Sequence, residues 1–357
     1  MFTLTNDQRK CFALVPIHDE WECIEAKPSP DDQFKTYLYF DGDTIVKCIL
    51  SGKSQYSEYE LSEKVSQDRK YLLPKTTKGK PMLLSSSTVL KRNGVGMRLN
   101  YNDKYIHLYN EKNQCSYFFN YYLNDDVCDL DGFSRWVEDW CKETTDADIA
   151  DVVRFSQQKR RHIRYQEGDV FRFKIGRKLY GYGRILLDYD KMRKNKEPFW
   201  DILMSKPLVC SVYYIVTDRD NVSLDELQHL GSLPSIIIAD NSLFCGDYEI
   251  IGNLPITENE DYPVMYGNSI CFGEKAVYYQ CGKTFRKIDN GTALYPDFKN
   301  NGVSFNLKFK LDILLQCIKE TSNNPYWSHY YPHWVDRDLR NPKHAEKLQK
   351  VKEQFGL

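Results

Sequence analysis

The chain of 357 residues is notable first for what it lacks. No stretch approaches 18 apolar residues, so no membrane-spanning helix is expected. The longest apolar windows, Ile236–Ala239 and Leu208–Val216, are strand-sized. Eleven cysteines, an odd number, are scattered from Cys11 to Cys317 without a CxxC pair. That distribution disfavours a disulfide scaffold or a zinc site and suits small buried hydrophobes in a reducing compartment. Charge of one sign is not in excess: 49 Lys and Arg face 50 Asp and Glu, a net of −1. Such a balance argues against a protein that coats nucleic acid or a membrane with its whole body. The N-terminal Met1-Phe-Thr-Leu-Thr-Asn-Asp-Gln-Arg-Lys lacks the basic-then-apolar order of a secretory signal, and a cytoplasmic location is expected.

Catalytic signatures are missing as well. There is no GxSxG, no HExxH, no GxGxxG and no P-loop lysine. His329 and His333 lie four apart, but Pro325 and Pro332 break the helix that would align them. No enzyme activity, metal or cofactor is expected. What the chain does have is aromatic side chains: 26 Tyr, 18 Phe and 6 Trp. Aromatics favour strands and recognition surfaces.

The neutral total conceals a pattern. Residues 1–150 carry a net of −5, residues 151–200 a net of +8, and residues 201–357 a net of −4. The densest basic part is Lys159-Arg-Arg-His-Ile-Arg164, expected at the end of a helix. Two readings stand: cations that complement the helix dipole on a solvated face, or a docking site for an anionic partner through Arg160, Arg161 and Arg164.

Hydrophobic periodicity gives the organisation. Residues 1–150 read as a strand-rich α+β domain, with a hairpin at Asp41-Gly-Asp43 and further strands that include Met82–Leu90. Phe133, Trp136, Val137 and Trp140 recur at helical spacing and close this domain with a helix. Residues 151–164 read as a basic helical linker, with Thr145 or Asp146 as the N-cap of its helix. Residues 165–357 read as a second β-rich domain with a helical tail. Its strands are expected to include Tyr248–Pro255 and Ile270–Phe272, and its tail a helix over Phe305–Ile318. The tail also carries the aromatic stretch Tyr326-Trp327 to Trp334, a candidate contact surface. The fold class is α+β, two domains dominated by antiparallel sheet, the second sheet bent and barrel-like.

One segment carries a recognisable pattern. Gln166-Glu-Gly-Asp-Val-Phe-Arg-Phe-Lys-Ile is followed by Leu179-Tyr-Gly-Tyr-Gly-Arg-Ile-Leu, and later by Ile250-Ile-Gly-Asn-Leu-Pro255. Over about residues 165–290 this resembles the immunity protein 26 family of bacterial polymorphic toxin systems. That family pairs a GD strand, here Gly168, Asp169, Val170 and Phe171, with a GxGR strand, here Tyr180, Gly181, Tyr182, Gly183, Arg184 and Ile185. The resemblance implies a cytoplasmic, non-enzymatic protein that neutralises a cognate toxin by stoichiometric occlusion. It supplies no catalytic residues. Asp169 is expected to hold the hairpin through a cross-strand ion pair with Arg184, or Arg184 to touch the toxin. Phe171, Tyr180 and Tyr182 complete the candidate set. The partner implied is a protein toxin, not a membrane; nucleic acid is disfavoured by the net charge, and the oligomeric state is not set by the sequence. The alternative is a nucleic-acid-binding or regulatory protein that uses the basic 151–200 segment beside a small β-barrel.

Overall fold

The computed structural model describes all residues except 1, 29–32, 74, 75, 77, 104, 121–126, 201–203, 299, 301 and 329–334. The described chain divides into two compact units, Met1–Arg161 and His162–Leu357.

The first unit opens with α1 (Asn6–Lys10), capped reciprocally by Thr5 and Gln8. Its strands are β1 (Glu22–Glu25), β2 (Phe34–Asp41), β3 (Thr44–Gly52), β4 (Gln55–Lys64), β5 (Tyr71–Leu72) and β6 (Met82–Leu83). After α2 (Ser86–Val89) come β7 (Met97–Asn102), β8 (Tyr105–Asn110) and β9 (Cys115–Phe119), then α3 (Leu130–Lys142) and α4 (Asp146–Ser156). Seven strands form one antiparallel sheet in the order β1-β2-β3-β4-β7-β8-β9. Gly42, at φ 59°, turns β2 into β3 in the register Asp41 to Thr44. Period-two alternation sends Ile49, Leu99, Leu108 and Phe118 to one face, where Phe133, Val137 and Trp140 of α3 join them. Leu38, Cys48 and Tyr59 face the other way and meet Val89 of α2.

Two expectations need correction here. Met82–Leu90 is not one strand: only Met82 and Leu83 pair, with Leu72 and Tyr71. The serine run then turns the chain, because Ser85 and Thr88 form a capping box that starts α2. The basic cluster is not helical either. Thr145 does cap α4, but the helix ends at Ser156. Asn110 Nδ2 donates to the carbonyls of Phe155 (2.9 Å) and Ser156 (3.0 Å) and closes that end. No apolar residue follows at helical spacing to hold a further turn against the sheet. Lys159, Arg160, Arg161 and Arg164 therefore lie exposed on irregular chain. Exposed irregular basic segments between folded units are preferred sites of nicking. Limited digestion with trypsin is expected to cut first within residues 159–164, read by mass spectrometry of the two products; a first cut inside either unit would contradict the division.

The second unit begins with β10 (Asp169–Ile175), β11 (Leu179–Asp188), α5 (Tyr189–Lys194), β12 (Pro207–Thr217) and α6 (Leu224–Gln228). It continues with β13 (Ile236–Ala239), α7 (Asn241–Cys245) and β14 (Glu249–Asn253). The remaining elements are β15 (Val264–Asn268), β16 (Ala276–Cys281), β17 (Thr284–Asp289), α8 (Leu311–Glu320), α9 (Asn324–Ser328) and α10 (Ala345–Gln354). One antiparallel sheet runs β13-β12-β11-β10-β14 and a second runs β15-β16-β17. The first sheet, expected to be bent, carries register shifts at Val170/Phe171, Gly181/Gly183 and Ile185/Leu187, the kind of bulge that bends a strand. It is not a barrel: among the described residues no sheet is closed. The outer edge of β13 is taken by Ser304, which accepts from Ala239 N at 2.7 Å and donates to Ile237 O at 2.9 Å.

Two tail elements also differ from expectation. Ile270–Phe272 is the loop after β15 rather than a strand, with Gly273 at φ 82° completing the turn. The segment 305–310 is not helical: the chain bends at Phe305 and Asn306, and then Leu307 and Phe309 are buried with Lys308 exposed between them, a period of two. The helix starts only at Leu311. No described helix is long and apolar enough to cross a membrane.

Candidate functional site

The GD, GxGR and IGxxP segments meet at one place. Gly168 adopts φ 88°, and a Cβ there would sit 2.5 Å from Leu254 O. Its amide donates to Ile185 O of β11 at 2.8 Å, and its carbonyl accepts from Leu254 N at 2.9 Å. One glycine thus ties all three segments. Asp169 is buried and accepts from Gln166 N and from Asn253 Nδ2, both at 2.8 Å. Asn253 Nδ2 also donates to Glu167 O at 3.1 Å.

Arg184 completes the frame. It is 9% exposed, forms an ion pair with Glu260 at 3.1 Å, and donates to the carbonyls of Leu254 and Pro255. The expected Asp169–Arg184 pair is therefore replaced by Asp169–Asn253 and Arg184–Glu260. The register gives the reason. Val170 stands opposite Arg184, so those two share a face and Asp169, one residue earlier, points to the other. Tyr213 lies buried beside Arg184; burial raises its phenol and the Arg184 charge works against that rise.

The two strand glycines serve aromatic packing. Gly181 pairs with Phe173 and Gly183 with Phe171. A Cβ at Gly181 would meet the Phe173 ring at 2.5 Å; one at Gly183 would meet Phe171 at 2.5 Å and Ser211 O at 2.6 Å. The missing side chains let both rings lie flat across β11. Phe171 then stacks on Tyr248, with centroids 5.3 Å apart and planes 9° apart. On the opposite face Val170 and Tyr182 pack against Leu227 of α6, and Tyr182 Oη donates to Arg219 O at 2.9 Å. Two substitutions separate the glycines. Gly181→Ala is expected to cost about 1–3 kcal/mol, recovered in part by Phe173→Leu. Gly183→Ala is expected to cost more and to resist rescue by Phe171→Leu, because backbone cannot retreat. Thermal melts of the full chain check both.

Residues 166–273 match the family described as Immunity protein 26. The match covers less than a third of the chain and contains every residue of this frame. No curated protein and no solved structure matches the chain. The family points to toxin neutralisation in general terms, and so to a non-enzymatic role.

The other candidate residues fall elsewhere. Tyr180 is half-buried, with the Arg172 guanidinium 5.0 Å above its ring. Arg160, Arg161 and Arg164 make no ion pair among the described residues, while their neighbours His162 and Ile163 attach to α7 by a ring stack on Phe244 (4.6 Å) and a bond to its carbonyl (3.0 Å). Tyr326 is buried and meets the half-buried Trp327 edge-on at 4.9 Å, with Arg340 near the Trp327 ring. Trp334, His329 and His333 lie outside the described residues. Asp169, Phe171, Tyr182 and Arg184 are brought together, but as interior frame. Sequence reasoning passed over Glu260, which is 76 positions from Arg184 and has no local signal, and Asn253, which sits inside the quoted IGxxP motif. It also assigned Ile270 and Phe272 to a strand, although the structure exposes both.

Proposed function

We propose that this chain neutralises a bacterial protein toxin by binding it one to one and covering its active site, in the cytoplasm where that toxin would act. The match of residues 166–273 to an immunity family carries this reading. The geometry supports it in a particular way. The residues that make the family pattern are consumed in holding β10, β11 and β14 together, so recognition falls to the surfaces that this frame presents. A frame of fixed strands that holds out exposed loops suits a protein that works by contact. The test is survival of cells expressing the toxin encoded by the adjacent gene, with and without this chain. Protection together with a one-to-one complex is expected; no protection against any linked toxin would sink the reading.

The exposed cations at Lys159, Arg160, Arg161 and Arg164, which make no ion pair among the described residues, favour one second reading, contact with nucleic acid. Four phosphate contacts on duplex DNA would give a log–log salt slope of about −3.6. Titration of generic duplex at several salt concentrations separates the two: a flat, weak response leaves these cations to a protein partner or to solvent.

A further inference from the structure

We infer that the loop tip Ile270–Phe272 is the apolar anchor that this chain inserts into a pocket on its protein partner. The inference rests on the toxin-neutralising reading and names the surface that performs it. Phe272 is fully exposed, Ile270 is 57% exposed and Leu294 is 52% exposed. All three lie at one end of the β15-β16-β17 sheet. The β15–β16 loop leaves from Asn268, and Asn268 Oδ1 accepts from Ala293 N at 2.8 Å, which brings the chain after β17 to the same end. Tyr266 Oη accepts from Leu294 N at 2.6 Å and fixes that residue too.

The tip is held open rather than left loose. Ser269 N donates to Ala276 O at 2.8 Å, and Glu274 N donates to Cys271 O at 3.2 Å. Ser269 Oγ accepts from Cys271 N at 3.1 Å and donates to Glu274 Oε2 at 2.5 Å. The other Glu274 oxygen accepts from Tyr278 Oη at 2.7 Å and pairs with Lys287 at 2.9 Å. These bonds hold the Glu274 carboxyl down at about 2. These bonds brace the loop through Ser269, Cys271 and Glu274, while Ile270 and Phe272 are left exposed. Preorganised apolar groups within a polar surround are the usual make-up of an interface hot spot.

The occupant follows from shape and charge. A convex apolar knob needs a concave apolar site, the common form of a ligand or active-site cleft on a protein. The rim carries Glu274 and Asp289 against Lys275 and Lys287, a balance of charge. An anionic membrane surface would call for a basic rim, so a protein pocket fits better. The tip also falls within the matched stretch 166–273.

The test uses the full chain as wild type, as Phe272→Ser and as Phe272→Leu, with the toxin encoded by the adjacent gene as probe. Calorimetry reads affinity, a thermal melt reads folding, and cell survival reads protection. Expected is a loss of at least about 30-fold in affinity for Phe272→Ser, most of it restored in Phe272→Leu, with unchanged melting because Phe272 buries nothing in the free chain. Wild-type binding that Phe272→Ser leaves intact overturns the anchor and spares the toxin-neutralising reading. Absence of wild-type binding overturns both. Phe272-dependent binding to vesicles containing phosphatidylserine, or Phe272-dependent self-association in solution, also overturns the assignment to a toxin pocket.

Discussion

Glu58→Gln is expected to destabilise the first unit by about 3–5 kcal/mol, the cost of removing one partner from a buried ion cluster. Glu58 is fully buried on β4. Its Oε1 accepts from Arg9 Nε of α1 at 2.7 Å and from Lys47 Nζ of β3 at 2.6 Å. Its Oε2 accepts from Arg9 Nη2 at 3.2 Å and Tyr56 Oη at 2.5 Å. Arg9 and Lys47 are as buried as their partner. Glutamine keeps the shape but strands two cations in the core. Burial alone would raise the Glu58 carboxyl; Lys47 and Arg9 outweigh it and hold the group below its ordinary value of 4.5. Burial acts the same way on Lys47, whose ammonium is pushed down. The sign for Glu58 is that of a depressed acid. Its contribution is complete above 4.5 and is lost as pH falls through the lower folded value. Melts followed from neutral pH into acid should show that loss in the wild type and not in Glu58→Gln. Replacing Arg9, Lys47 and Glu58 together by Met, Met and Leu should be far less costly than the single change, since the desolvation of all three charges disappears with them. A single-change cost no larger than the triple-change cost would mean that the cluster is not acting as a unit.

How much of this was legible in the sequence depends on distance along the chain. The β10–β11 hairpin was legible because Val170, Arg172 and Lys174 alternate with Phe171, Phe173 and Ile175, and pairing across a short turn needs only that alternation. The α3 stripe Phe133, Val137 and Trp140 was legible for the same local reason. The Glu58 cluster was not. Lys47 and Glu58 look like the outward charges of ordinary strands, and only α1, 49 residues away, covers that face and buries them. The Arg184 partner failed in a similar way. Proximity suggested Asp169, but a one-residue difference in register sends Asp169 to the other face, and Glu260 arrives from a loop that no local pattern joins to β11. The basic run was read as helix because its charges fit a C-terminal dipole, yet the apolar spacing that holds a helix to a sheet stops at Phe155. Ile270–Phe272 was read as a strand because its residues favour strands; the paired segment is Val264–Asn268, and the apolar residues beyond it are left at the tip.

Arg184 decides whether the family pattern is frame or contact surface. As frame, Arg184→Met is expected to cost about 3–5 kcal/mol, because Glu260, with a side chain 13% exposed, keeps a charge without its partner and two carbonyls lose a donor. Glu260→Gln should cost a similar amount from the other side. Arg184→Lys should recover little, since a single ammonium cannot span Glu260 and the carbonyls of Leu254 and Pro255 as the guanidinium fork does. The Arg184→Met and Glu260→Gln costs should fall well short of additive, because each removes the same interaction. Binding supplies the other half. A frame residue acts through folding, so at a temperature where Arg184→Met remains folded its affinity for the toxin should lie within about threefold of wild type. A contact residue gives the opposite split: the melt barely moves and affinity collapses at every temperature. With Arg184 9% exposed and its two terminal nitrogens engaged by Glu260 and by the carbonyls of Leu254 and Pro255, the geometry sets the first outcome as the expected one. On the proposed reading, recognition then rests on surfaces outside this frame, such as the β15–β16 loop with the fully exposed Phe272.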